Sequence, residues 1–176
     1  MENQFHIMNE LANQWPKGTT SLLADRINSL TSGKDHIDWA VNALIEGFEA
    51  PSLTILAGLD LGGMVSSFEA EDYFDKSVQE LELILPDDET ILRLYFSEVV
   101  HQIAAGKIDP KQGIDKIHRR VIDPLSHPTD LMAWCYLWEG NSPEGHLVEY
   151  SDEEYSETII AYAQTWIGYI NGEKLA

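Results

Sequence analysis

Positive charge is scarce in this sequence, which has 11 Lys and Arg residues against 30 Asp and Glu residues and a formal net charge of −19. A protein that binds nucleic acid has to present cations to the phosphates, and an anionic membrane surface attracts basic segments. The composition therefore predicts a chain that binds neither nucleic acid nor a membrane.

Cysteine and long apolar runs are also nearly absent. The only cysteine is Cys135, so no disulfide can form within the chain, which suits a reducing compartment. The first residues contain no basic segment followed by an apolar stretch, so we expect no secretory signal. No apolar run approaches the ~18 residues that a membrane-spanning helix needs. These absences predict a soluble cytoplasmic protein.

The alternation of apolar and polar residues that marks a β-strand never persists, whereas helical spacing of apolar residues is common. One stripe recurs at intervals of three and four residues and consists of Ile37, Ala40, Val41, Leu44, Ile45 and Phe48. A second, wider apolar face lies between Leu92 and Ile103 and marks a central helix. The sequence predicts one all-α domain over residues 1–176, a bundle of roughly seven to nine helices.

Local signals predict where several helices begin and end. Asp35 is a candidate N-cap, Pro51 is typical of a first helical position, and Gly62-Gly63 is typical of a helix end. A helix is predicted from Asp109-Pro110 to about residue 123. Two pairs have the spacing of a capping box, in which the side chains at the first and fourth positions bond each other's backbone; they are Ser66 with Glu69 and Ser151 with Glu154.

The sequence shows no catalytic motif and no metal-binding motif. None of the six histidines has the helical spacing of a metal-ligand pair, so no metal and no cofactor are predicted. His101 and His118 lie on neighbouring predicted helices and are the pair that a pocket could use. Cys135 lies in an apolar segment and is interpreted as a core residue, with His127 the only base nearby in the sequence.

The acidic residues are distributed unevenly. Residues 121–173 contain ten Asp and Glu residues and no Lys or Arg, and seven of those ten lie between residues 139 and 157. Self-repulsion of this kind destabilises a compact state, and a basic partner would relieve it. The predicted partner-binding residues are these seven acids and two interleaved tyrosines: Glu139, Glu144, Glu149, Tyr150, Asp152, Glu153, Glu154, Tyr155 and Glu157. The alternative is that the acids only keep the protein soluble.

Two segments resemble a group of small acidic helical bacterial proteins that share the signature W-A-x-x-x-L-x-x-G…PSLxxLAGL. The matching residues are Trp39–Phe48 and Pro51–Leu59, and Ile103–Gly113 also looks similar to that group. The resemblance does not point to a particular activity, and it identifies no catalytic residue in this chain. In size, acidity and helix content the chain is also similar to the immunity proteins that neutralise bacterial toxins.

These observations predict a non-enzymatic binding protein. It would be an immunity-type inhibitor that neutralises a basic bacterial toxin, such as a nuclease, through its acidic surface. Two alternatives stay open. One is an enzyme or ligand-binding protein with a pocket between helices, and the other is a regulatory adaptor that uses the basic cluster Lys116, Arg119 and Arg120.

Overall fold

A computed structural model describes residues 14–59 and 66–170. Within these residues the chain forms eight α-helices and no β-strand, which confirms the predicted all-α class. The chain also contains a π-helix, His118–Ile122, and a short 3-10 helix, Thr129–Leu131. The α-helices are α1 Thr19–Ile27, α2 Gly33–Ile45, α3 Pro51–Gly58, α4 Ser67–Glu80, α5 Asp88–Ala104, α6 Pro110–Ile117, α7 Met132–Trp138 and α8 Asp152–Ile170.

Among the residues so described, no helix has both the length and the apolar character needed to cross a bilayer. The described residues fall into two compact units, one up to Ile91 and the other from Leu92 onward, and α5 contributes residues to both. We describe each unit by itself. The prediction that residues 1–176 form one domain stays a prediction.

In the first unit, aromatic residues of α2 and α4 pack against each other. The Trp39 and Phe74 rings meet edge to face, with centroids 4.8 Å apart, and both side chains are buried. The Trp39 indole N–H donates to the Thr19 hydroxyl of α1 at 2.8 Å, so this buried polar group is satisfied. An ion pair between Arg26 Nε and Glu71 Oε1, at 2.9 Å, joins α1 to α4.

The starts of two helices in the first unit test the predicted capping residues. The N-cap of α2 is Ser32 and not Asp35, which lies one turn inside, where its carboxylate accepts from the Ser32 amide at 2.7 Å. The hydrogen bonds from Ser32 lower the pKa of Asp35. Helix α3 begins at Pro51, as predicted, whereas the predicted end at Gly62-Gly63 lies outside the described residues.

In the second unit, α5 supplies the centre of an aromatic core. Phe96 is 1% exposed, and its ring meets Trp134 of α7 and Trp166 of α8 edge to face at 5.5 and 5.4 Å. Val100 and Ile103 of the same helix are fully buried. The wide apolar face read from residues 92–103 is therefore confirmed as buried.

Helix α6 begins as predicted but does not continue as an α-helix to residue 123. Asp109 is its N-cap and accepts from the Gln112 amide at 2.9 Å. At His118 the chain changes to a π-helix, which extends to Ile122. A π-turn widens the helix by one residue and so changes the directions of the side chains that follow, a feature frequent at functional sites.

Candidate functional site

The seven predicted carboxylates all lie on the surface. Glu139, Glu144 and Glu149 lie between α7 and α8, and the other four lie in the first two turns of α8. All seven are exposed, as a binding role requires. We call these seven exposed carboxylates, which lie on one stretch of the second unit, the acidic surface.

Two of the four carboxylates in α8 already have partners within the fold. Glu154 accepts from the Ser151 amide at 2.8 Å and from its hydroxyl at 2.7 Å, and the Glu154 amide donates to the Ser151 hydroxyl, which confirms the predicted capping box. Those bonds lower the pKa of Glu154. Asp152 pairs with Lys111 of α6 at 2.7 Å, which lowers the pKa of Asp152. Both residues therefore also fix the start of α8.

The two predicted tyrosines are half-buried, and one of them has a structural role. The Tyr155 hydroxyl donates to the Leu137 carbonyl at 2.6 Å and so ties α8 to α7. Burial raises the pKa of Tyr155, and the neighbouring Tyr150, whose ring centroid is 5.8 Å away, raises it further. Tyr155 thus has a structural role, whereas Tyr150 lines the groove described next.

Part of the acidic surface is concave. An open groove of about 430 Å³ lies beside α8 and is lined by three carboxylates together with apolar and hydroxyl-bearing side chains. We call it the acidic groove; it is lined by Val148, Glu149, Tyr150, Glu154, Glu157, Thr158 and Ala161. It includes four of the predicted residues.

An exposed apolar pair, of which Val148 lines the groove, is not among the predicted partner-binding residues. Leu147 is 93% exposed and Val148 is 42% exposed. A signal was present in the sequence, because these two aliphatic residues stand between acids in an otherwise polar loop. Exposed aliphatic side chains surrounded by charge match the pattern of an interface, which has an apolar centre and a polar rim.

The second unit also brings together three potential metal ligands that the sequence analysis did not combine. The Cys135 sulfur of α7 lies 3.9 Å from Nε2 of His118, at the start of the π-helix. One ring nitrogen of His127 completes the group, and the three ligand atoms all lie within 4.8 Å of one another. We call His118, His127 and Cys135 the His–Cys cluster.

Other side chains surround this cluster and orient it. The Asp123 carboxylate lies 3.5 Å from Nδ1 of His118 and 3.5 Å from Nε2 of His127. The Trp138 ring stacks on His118 with centroids 3.7 Å apart and planes 14° from parallel. Trp138 itself is partly exposed.

A strained turn places His127 in the cluster. Ser126 and His127 both have positive φ, 57° and 58°, a left-handed conformation that non-glycine residues seldom adopt. The Ser126 amide bonds the Asp123 carbonyl and the His127 amide bonds the Ile122 carbonyl, which ends the helical segment and folds the chain back. His127 therefore returns to the side of the helix that carries His118.

The geometry does not favour Cys135 as a free nucleophile. Burial raises the pKa of its thiol, and the negative charges of Glu139 and Asp123 raise it further, so the thiol stays protonated at neutral pH. His101, the other half of the histidine pair expected from the sequence, instead bonds the Ser97 carbonyl at 2.7 Å through Nδ1.

Two of the three residues in the basic cluster that an adaptor would use make contacts within their own unit. Arg119 Nε pairs with Asp115 at 2.8 Å, and Arg120 Nη1 donates to the Tyr95 hydroxyl at 3.0 Å.

Comparisons of the chain with protein-family models, with curated proteins and with solved structures found no match.

Proposed function

We propose that this protein is a non-enzymatic inhibitor of the immunity type, which neutralises a basic bacterial toxin by covering it with the acidic surface. The observation that supports this proposal most strongly is the combination of exposed carboxylates, the acidic groove and the exposed Leu147 on one stretch of chain. Each element supplies a different part of a protein interface.

The groove fits a basic side chain of the partner. Glu149, Glu154 and Glu157 provide acceptors for a guanidinium or ammonium group, while Val148 and Ala161 offer an apolar wall to its methylene stem. A toxin that acts on nucleic acid must have a basic surface to contact phosphates, so a nuclease offers the complementary charge.

The exposed apolar pair, Leu147 and Val148, supplies the apolar centre of the interface. Burying an exposed leucine side chain contributes about 1.5–3 kcal/mol. Binding energy in protein interfaces is concentrated in a few buried residues. Charged rim residues mainly accelerate association. We therefore assign retention of the partner to Leu147 and Val148, and its attraction to the surrounding carboxylates.

The test needs a partner, for which we would use the protein encoded beside the gene for this chain. The variant reverses Glu149, Glu153 and Glu157 to lysine, and leaves Glu154 in place because it caps α8. We expect association to slow by at least about tenfold, because steering by opposite charges is removed. Surface kinetics or stopped-flow fluorescence measures the rate.

A matched control reverses three exposed acids outside this surface, Glu49, Glu69 and Glu82. Glu69 is suitable because the predicted capping box with Ser66 is not formed in the structure. Each reversal changes the charge by two units, so both triple variants change the net charge equally. If the acidic surface is the interface, the control slows association far less. Equal slowing by both variants, or a partner that binds the first variant unchanged, would contradict the assignment of the interface.

A further inference from the structure

We infer that the His–Cys cluster is a binding site for one zinc ion, with His118, His127 and Cys135 as ligands and Asp123 as the carboxylate that orients His118. This site is independent of the proposed inhibitor function. It also revises the prediction that the protein binds no metal. That prediction rests on the absence of histidine pairs at helical spacing, whereas the three ligands come from a π-helix, a turn and α7.

The spacing of the three ligand atoms fits a tetrahedral ion. With Zn–S near 2.3 Å and Zn–N near 2.0–2.1 Å, tetrahedral angles place sulfur and nitrogen ligands about 3.6 Å apart. The observed Cys135 Sγ to His118 Nε2 distance is 3.9 Å. The full set lies within 4.8 Å, so closing around an ion requires a shift of about 1 Å, well within the reach of the half-exposed His127 ring.

The immediate surroundings supply what a zinc-bound histidine usually has. A ligating imidazole typically donates its second N–H to a carboxylate, which fixes the ring and its tautomer. When Nε2 of His118 faces Cys135, its Nδ1 faces Asp123 Oδ2 at 3.5 Å. Stacking of Trp138 on the same ring further restricts its rotation.

The second ring nitrogen of His118 is consistent with this arrangement. His118 is 6% exposed, and its Nδ1 makes no hydrogen bond, although Asp123 Oδ2 lies 3.5 Å away. Leaving a buried polar atom unpaired costs free energy. An ion bound to Nε2 would make Nδ1–H a stronger donor, and Asp123 would then accept a hydrogen bond from it. Zinc binding would therefore give both ring nitrogens of His118 a partner.

Zinc fits this ligand set better than magnesium or calcium, because imidazole and thiolate are ligands of zinc and the harder cations take oxygen. On binding, the Cys135 thiol loses its proton to solvent and the sulfur coordinates as thiolate. Three protein ligands leave the fourth tetrahedral position for water or another donor. The ion would fasten the π-helix and the His127 turn to α7.

The site is tested with the full-length reduced protein, stripped with a chelator and titrated with Zn²⁺ against a chromophoric zinc indicator. We expect one ion per chain by elemental analysis. With Co²⁺ in place of zinc we expect a thiolate-to-cobalt charge-transfer band and the visible absorption of a tetrahedral ion. The charge-transfer band should disappear in Cys135→Ser, because Cys135 is the only cysteine.

Two further variants distinguish zinc binding at the His–Cys cluster from nonspecific binding to surface carboxylates. His127→Ala alters a half-exposed side chain, so the fold should survive, and the zinc affinity should fall by at least about tenfold. Asp123→Asn should lower it by about 10–100-fold. The matched control His146→Ala, at an exposed histidine of the same unit, should bind as the parent does.

Thermal denaturation gives a readout that does not depend on the indicator. Zinc should raise the melting temperature of the parent and of His146→Ala but not that of His127→Ala, because only ions bound to the folded state stabilise it. The proposal is wrong if the cobalt protein lacks the charge-transfer band, or if Cys135→Ser and His127→Ala bind zinc with the affinity of the parent.

Discussion

Replacing Phe96 by alanine should destabilise the protein more than any surface change. Burial of a phenylalanine ring contributes about 1.5–3 kcal/mol, and each edge-to-face aromatic contact adds about 0.5–1.5 kcal/mol. Phe96 is 1% exposed and makes two such contacts, with Trp134 and Trp166. The expected loss in the free energy of unfolding is about 3–5 kcal/mol, the range observed for buried phenylalanines.

The assay is denaturation by urea, followed by circular dichroism and by tryptophan fluorescence. Phe68→Ala is the matched control, because Phe68 is 81% exposed and should change stability by less than about 0.5 kcal/mol. Phe96→Leu keeps most of the buried volume and removes the ring contacts, so its loss should lie between the two. Equal midpoints for Phe96→Ala and Phe68→Ala would refute the position of Phe96 at the centre of the core.

Two further predictions concern a tight contact and a cap. Gly113→Ala should cost about 1–3 kcal/mol by denaturant titration, because its Cβ would lie 2.5 Å from Ile103 Cγ1, whereas Gly58→Ala meets nothing within 4 Å and should be neutral or stabilising. Glu154→Ala should lower the melting temperature at pH 7, but the difference from the parent should shrink as the pH falls below about 4.3, the ordinary Glu value. The sign follows from the lowered pKa of Glu154: its contribution is present above the unfolded-state pKa and is lost as the pH falls through the folded-state pKa. A difference that stays constant from pH 7 to pH 3 would contradict the role of the carboxylate.

Much of the fold could be predicted because local signals and the tertiary structure agree. Pro51 begins α3, Ser151 and Glu154 cap α8, and the apolar face of α5 is buried. The prediction of Asp35 as the N-cap of α2 is wrong, because Ser32 and Asp35 form a capping box and both residue types are favoured at an N-cap.

The His–Cys cluster could not be predicted from spacing. His118 lies on a π-helix, whose register differs from that of an α-helix, and His127 reaches the cluster only through a left-handed turn at two non-glycine residues. Cys135 comes from a third element, α7. Helical periodicity predicts which residues share a face of one element, and it gives no information on contacts between side chains from different elements.

The acidic surface is predicted from composition alone, and its role in binding stays a prediction. Exposure agrees with the prediction for all seven carboxylates. The separate tasks of Glu154 as a cap and Asp152 as the partner of Lys111 depend on three-dimensional contacts. The exposure of Leu147 likewise depends on the path of its loop.

The central claim is that the acidic surface attracts and holds a basic protein partner. The most direct measurement is the association rate with the protein encoded beside this gene, at salt concentrations between 0.01 and 0.15 M, where the Debye length falls from about 30 to about 8 Å. The account predicts an association rate that falls steeply with salt and a dissociation rate that changes little, because buried anchors govern dissociation. An association rate independent of salt would contradict it and place the interface elsewhere on the chain.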